Sequence, residues 1–246
     1  MAKRSVDAAL SDFPLGGAQR LKKSETMIPL SDADRRPVNF PITTLLLIVA
    51  NFIVFFFELA GGDAFITRWS MVPANITAGK DWITLFTAMF LHEGWEHILG
   101  NMVFLWAFGP EVEDIMGRGK YLAFYLLGGL VANLAQVAII PSSTELNLGA
   151  SGAIAAVMGA FLLAFPGDRI KTILFIGNFG RVTFVPSVLL IGVWFVLQIF
   201  SQLGSIAAVQ SGGVAYMAHI GGFIYGAIAG RWFESAEGRR NQRFLE

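Results

Sequence analysis

The sequence predicts an all-α polytopic membrane protein built as a bundle of six transmembrane helices, and three observations carry that prediction. The first is composition: 54% of the 246 residues are hydrophobic and only 15% charged, with a mean hydropathy of +0.59, more apolar side chain than one soluble domain can cover. The second is a set of apolar runs of about 20 residues, the length a tilted helix needs to cross a bilayer. The third is the placement of Lys and Arg, which separates cleanly into two sides once the runs are alternated across a membrane. Net charge is zero, with 18 basic and 18 acidic residues, so nothing suggests a nucleic-acid partner. Without cysteine, disulfide, thiolate and zinc-thiolate chemistry are excluded.

Taken in order, residues 1–40 read as a solvated cytosolic tail, because Lys3, Arg4, Arg20, Lys22, Lys23, Arg35 and Arg36 alternate with Asp7, Asp12, Glu25, Asp32 and Asp34. Those acids argue against a secretory signal or transit peptide. The membrane domain spans 41–233, with clear runs at 41–60, 121–141, 148–166, 182–203 and 214–233. A further span is expected around 98–109, provided that its helix takes in His97 and continues past Pro110 toward Met116. Residues 61–96 form a long structured loop whose apolar stretch 82–91 is too short to cross and folds back against the bundle. Residues 234–246 are a second cytosolic tail. With the amino terminus inside, 16 of the 18 basic residues fall on the cytosolic side and only Arg68 and Lys80 outside. A multi-pass protein of a bacterial inner membrane, with both termini cytosolic, is the expectation.

Only three histidines occur, His92, His97 and His219. The last two fall in or at the edge of spans, where polar groups are costly and usually retained for a purpose. The fourth run opens with Gly149, Ala150, Ser151 and Gly152, placing a serine in a first helical turn beside free amides. In a chain with 27 glycines such a string is weak alone. Topology strengthens it. Spans two, four and six run the same way, and the helical rise puts Asn101 about 8 Å below Glu96 and His219 about 9 Å below Gly213, with Ser151 at its helix start. His97, Asn101, Ser151 and His219 therefore share a layer near the outer surface. Gly222, Gly226 and Gly230 recur every four residues, the first two lying three and seven residues after His219, and Ser151, Ala155 and Gly159 share that spacing on the fourth helix. Such small faces, with Gly152 beside the serine, let backbones approach closely. A neutral His219 would take the proton as Ser151 attacks a carbonyl and return it to the leaving amine. No acid lies in this layer, so a Ser-His dyad is expected, with His97, Asn101 and the Ser151 amide as oxyanion donors.

These motifs, GASG at 149–152, HILGN at 97–101 and AHIGGFIYG at 218–226, resemble the rhomboid family of intramembrane serine proteases across roughly residues 41–233. The resemblance implies a six-helix rhomboid-like bundle, Ser151 as nucleophile, His219 as base, and His97 and Asn101 as oxyanion donors. It further implies a first loop lying partly in the outer leaflet, and helix five with its following loop as a gate. The implied partners are the lipid bilayer and substrate membrane proteins, cut in or near an easily unwound transmembrane segment. No cofactor or metal is implied. Two departures stand out. Where many members have a Trp-Arg pair in the first loop, this chain has Trp82, Ile83 and Thr84. Where some bacterial members have a tyrosine packed on the catalytic histidine, this chain has Ala155, leaving His219 either supported by another ring or held more loosely.

Other readings are weaker on residues alone. His92 and His97 are five apart, about 140° around a helix, so they do not form the paired ligands of a zinc protease; His92 is expected to tie down the first loop by a hydrogen bond. A catalytically inactive rhomboid-like protein that binds membrane clients need not keep serine and histidine together. A transporter predicts midplane charges and repeated halves, and neither is evident. Asn51, Asn133, Gln136 and Gln198 read as interhelical hydrogen-bond partners, and Glu111, Glu113 and Asp114 as the solvated cytosolic end of helix two.

Overall fold

A computed structural model describes residues 26–176, 179–208 and 215–243. Strand β1 (Thr26–Asp32) precedes the long helix α1 (Ile42–Trp69) and the short helical turns α2 (Pro73–Thr77) and α3 (Thr84–Thr87). A single 3₁₀ turn at Ala88–Phe90 leads to α4 (Trp95–Met116), α5 (Arg118–Ile139) and α6 (Ser151–Ala164). Strands β2 (Arg169–Ile176) and β3 (Phe179–Pro186) then precede α7 (Ser187–Ala208), α8 (Tyr216–Phe233) and α9 (Ala236–Arg243). The chain is thus mostly helical. Two helices among the described residues, α1 and α5, are long and apolar enough to cross a membrane. Around the bundle Leu46, Phe57, Phe200 and Ile228 are each more than half exposed, an apolar exterior that water would not favour.

The helix boundaries follow from local chemistry. The expected break after the first apolar run appears as a kink at Gly62, whose φ of 60° suits glycine, and α1 resumes as far as Trp69. α4 does run through Pro110 to Met116, so the short apolar core at 98–109 is the middle of a 22-residue helix. The first loop folds back as expected: Leu85 and Ala88 are buried with Met71 and Ile76 against Leu130 and Val137 of α5. Arg68 of α1 reaches Asp81 in this loop (Nη1 to Oδ1, 3.8 Å), and neutral hydrogen bonds hold the rest of it. Thr87 Oγ1 donates to the Trp69 carbonyl (2.8 Å), Asn133 Nδ2 to the Leu85 carbonyl (2.8 Å), and the Gly149 amide to the Ala88 carbonyl (2.8 Å).

The sheet departs from the all-α expectation. β1, β2 and β3 form one antiparallel sheet in that order. Residues 182–186, which apolarity alone assigns to the fifth helix, are strand, and α7 begins at Ser187. The physical reason is the run Val182, Thr183, Phe184, Val185, rich in β-branched and aromatic side chains, closed by Pro186, which holds its predecessor extended. The tail is likewise not solvated throughout, since β1 pairs with β2 and Arg169 grips Asp34 (Nη2 to Oδ1, 2.6 Å). Val214, Gly213 and the tail residues before Thr26 lie outside the described residues.

Glu113 and Asp114 also bond to the incoming chain. The Glu113 carboxylate is buried and accepts the amides of Thr43 and Thr44, both at 2.8 Å, and the Thr44 hydroxyl, so it caps the first turn of α1. Asp114 accepts the amides of Val38 and Asn39. Glu111 is also buried. Glu111 and Glu113 are therefore not a solvated end, whereas Asp114 stays partly exposed; Glu113 and Asp114 fasten the incoming chain to α4.

The core is organised around α6, whose residues from Gly152 to Phe161 are all buried. Its 14 residues rise about 21 Å, well short of a hydrocarbon core of about 30 Å. Its closest partner is α8. A Cβ on Gly222 would stand 2.1 Å from the Gly152 carbonyl oxygen, and one on Gly226 would stand 1.9 Å from that of Ala156. Gly152 itself turns its α-carbon toward Ala132 of α5 and offers α8 its carbonyl. The small face meeting α8 is therefore Gly152, Ala156, Gly159 and Ala160, one residue around the helix from the Ser151, Ala155, Gly159 stripe read from spacing. The difference arises because the closest contacts run from glycine α-carbons to main-chain oxygens of the facing helix, Gly222 and Gly226 on α8 toward α6 and Gly159 on α6 toward the Phe223 carbonyl, not from side chain to side chain.

Candidate active site

The first turns of α4, α6 and α8 meet at the end of the bundle remote from the sheet. Gly149 makes this possible. Its φ of 128° suits glycine, and a Cβ there would press to 3.0 Å from Nε2 of His97 while lying 3.5 Å from Ser151 Oγ. The imidazole of His97 thus fits beside the serine. Ser151 is the first residue of α6, so its amide has no acceptor within the helix.

His219, three residues into α8, is buried, and its Nε2 lies 2.6 Å from Ser151 Oγ. Its Nδ1 lies 2.7 Å from Oε1 of Gln198 on α7. The Trp194 ring, one turn earlier on α7, packs 5.8 Å from the imidazole centroid. The open alternative left by Ala155 is thereby answered: another ring supports His219, and it comes from a different helix.

His97 Nδ1 accepts the Glu93 amide at 3.3 Å. In the neutral ring this leaves the proton on Nε2, the nitrogen that faces Gly149. Asn101, one turn on, is buried, and its Nδ2 has no protein partner among the described residues. A buried amide donor left free in this way is an uncommon expense in a folded protein unless something else accepts from it. All four residues line one open cleft of about 600 Å³, walled by Trp194 on α7, Phe104 on α4 and Leu146 in the loop before α6. That size suits a short stretch of extended peptide or a small ligand.

His92 anchors the first loop, though by its main chain: its amide donates to Glu58 of α1 at 2.9 Å, while the ring packs edge-on against His97 at 5.1 Å. Among the described residues no group of three or more His, Asp or Glu side chains is arranged to hold a metal. Of the four amide side chains read as interhelical partners, Asn133 joins α5 to the first loop, and Gln136 of α5 accepts the Ala218 amide at the start of α8. Asn51 Nδ2 donates to the Leu47 carbonyl of its own helix, and its side chain also interacts with the Tyr125 side chain of α5. Gln198 bonds the imidazole of the site. Sequence reasoning did not assign Gln198, Trp194 or Glu58 to this region. The available signal was the spacing Ile191, Trp194, Phe195, Gln198 along one face of α7, but spacing does not say which neighbour that face meets.

A helical bundle with paired serine and histidine at one end defines a class, and comparison with known proteins places the chain within it. A family model for the Rhomboid domain matches residues 79–235, and the chain belongs to the rhomboid family. Members of this family are integral membrane proteins. The chain is 29% identical to the rhomboid protease GluP of Bacillus subtilis, an alignment covering 81% of this chain and 37% of that protein. It is 28% identical to the rhomboid protease GlpG of Pectobacterium atrosepticum, covering 78% and 62% respectively. It is 27% identical to the mitochondrial rhomboid protein 1 of Saccharomyces cerevisiae, covering 72% and 51%. The chain thus spans less than two thirds of the length of each of these relatives.

Proposed function

We propose that this protein is an intramembrane serine endopeptidase that cleaves transmembrane segments of other membrane proteins with a Ser151–His219 dyad. The observation that carries the reading is the 2.6 Å contact between Ser151 Oγ and His219 Nε2 at the cleft. In the proposed cycle the serine hydroxyl donates its proton to Nε2 as Oγ bonds to the scissile carbonyl carbon. The carbonyl oxygen becomes an oxyanion, held by the Ser151 amide, Asn101 Nδ2 and His97 Nε2–H. Collapse breaks the C–N bond, and His219 returns its proton to the departing amine. Water then gives a proton to His219, attacks the acyl-serine and releases the carboxylic acid, restoring Oγ–H.

The same proposal takes α1, α4, α5, α6, α7 and α8 as six spans with both tails cytosolic. The 16 to 2 division of basic residues supports it, as does the sheet, whose Arg169 and Lys171 lie at the opposite end from the cleft. The membrane domain is residues 41–233, flanked by segments 1–40 and 234–246, with a bacterial inner membrane as its location. With α6 only 14 residues long, Ser151 lies inside the outer half of the bilayer, where the cleft admits water.

Fluorophosphonate labelling of the detergent-purified chain tests the reading. Wild type should carry an adduct on Ser151 by mass spectrometry, and Ser151→Ala and His219→Ala should carry none while remaining folded. A folded wild type that stays unlabelled and leaves membrane-protein substrates intact would refute the protease reading and favour client binding without cleavage.

A further inference from the structure

We infer that Gln198 is a positioning residue that selects the tautomer of His219, so that α7 forms part of the base as well as a wall of the cleft. The inference rests on the protease reading above and deepens it. A histidine acts as base toward Ser151 only when Nε2 is unprotonated, which in the neutral ring requires the proton on Nδ1. Oε1 of Gln198, 2.7 Å from Nδ1, is an acceptor and is satisfied only by that Nδ1–H. The carboxamide therefore does by hydrogen bonding what a buried carboxylate does in a Ser-His-Asp triad, without placing a charge at this depth.

Two further observations make the arrangement specific. His219 meets α7 twice, since Trp194 packs on its ring one turn before Gln198 reaches its Nδ1. Phe195, between them in sequence, stacks on Phe223 of α8 at 4.2 Å and sets the register of the two helices. Ile191, Trp194, Phe195 and Gln198 lie on one face of α7, whereas Val193, Val196, Leu197 and Phe200 face outward. A shift of α7 away from α8 would remove both the ring contact and the Nδ1 partner in one motion, leaving the serine in place but its base free to turn or change tautomer.

The test compares Gln198→Leu and Gln198→Glu in the full chain, reading the second-order rate of fluorophosphonate addition to Ser151 from pH 5 to 9. Leu keeps the bulk but cannot accept, and should slow labelling by about tenfold to a hundredfold, less than the ~10⁴ lost when a charged triad loses its carboxylate. Glu accepts only, so it should restore the rate to within about threefold at alkaline pH. Because a carboxylate beside Nδ1 favours the imidazolium, its rate profile should also rise at higher pH than that of wild type. A general packing defect would slow both variants and shift neither profile. Wild-type rate and profile in Gln198→Leu, or a Gln198→Glu variant as slow as the Leu one, would overturn the assignment. ¹⁵N spectra of the histidines supply a readout independent of catalysis: His219 should be the Nδ1–H tautomer in wild type and a mixture in Gln198→Leu. An Nε2–H tautomer in wild type would overturn the inference whether or not any serine is labelled, whereas failure to label a wild type with the expected tautomer would count against the protease reading alone.

Discussion

Replacing Gly222 by alanine is the sharpest probe of how the fold sets the site. The new methyl would lie 2.1 Å from the carbonyl oxygen of Gly152, the residue after Ser151, on a helix that carries His219 three residues earlier. Carbon and carbonyl oxygen rest at about 3.3 Å or more, so α6 and α8 must separate by about 1.2 Å at this level. Ser151 Oγ and His219 Nε2 are 2.6 Å apart across the same helix pair. Passing the whole displacement to that contact would open it to about 3.8 Å, beyond hydrogen-bond range, and even half would bring it to the limit of about 3.2 Å. Overpacking of this kind costs about 1–3 kcal/mol of stability, and proton transfer by a positioned base is worth about 10²–10⁴ in rate. Gly222→Ala should therefore lower the melting temperature modestly and slow fluorophosphonate labelling of Ser151 by about a hundredfold or more. Gly230→Ala is the internal control. Its methyl meets Ala160 alone, 2.9 Å from Cβ and 3.3 Å from Cα, and it lies about 16 Å along α8 from His219. It should cost some stability and leave labelling near wild type. Unchanged labelling and melting in Gly222→Ala, or equal loss of labelling in Gly230→Ala, would refute the argument that close α6–α8 packing sets the distance.

Other consequences can be measured separately. Asn101→Ala should slow peptide-bond cleavage by about 10²–10³, the loss expected for one oxyanion donor, with little change in melting because Nδ2 holds no protein partner; an unchanged rate would remove Asn101 from the site. Glu113→Ala strands the buried amides of Thr43 and Thr44 and should destabilise by about 1–3 kcal/mol, read as a drop of several degrees in thermal unfolding. A melting temperature equal to wild type would show that water caps α1 equally well. Burial pushes the Asp32 carboxyl up to about 6 from its usual 3.8, so the docked form binds its proton more tightly than the free segment. Its favourable contribution is full below about pH 4 and is lost as pH rises through 6. Amide exchange in β1 should accordingly be faster, after correction for intrinsic rates, at pH 7 than at pH 5, and Asp32→Asn should flatten the difference. A pH-independent β1 in wild type would contradict the sign.

Much of the architecture is legible in the residues. Helical runs can be read from apolarity because a bilayer-length segment without charge has few other uses, and α4 could be followed past Pro110 because its charge pattern demanded a crossing there. Ser151, His219, His97 and Asn101 could be brought to one level by the rise per residue alone. Apolarity misleads at residues 182–186, where a strand and a helix carry the same hydropathy and only β-branching with Pro186 separates them. It also misleads at Glu113, whose charge reads as solvated until the first turn of α1 arrives above it. What the chain by itself determined is which groups exist at which level along each helix, since that level follows from one helix and its periodicity. What only the tertiary structure decided is which neighbour each helix face meets: that glycines of α8 close on main-chain oxygens of α6, and that Gln198 and Trp194 of α7 meet His219. Those contacts are set by rotation and distance between helices, which depend on many side chains at once.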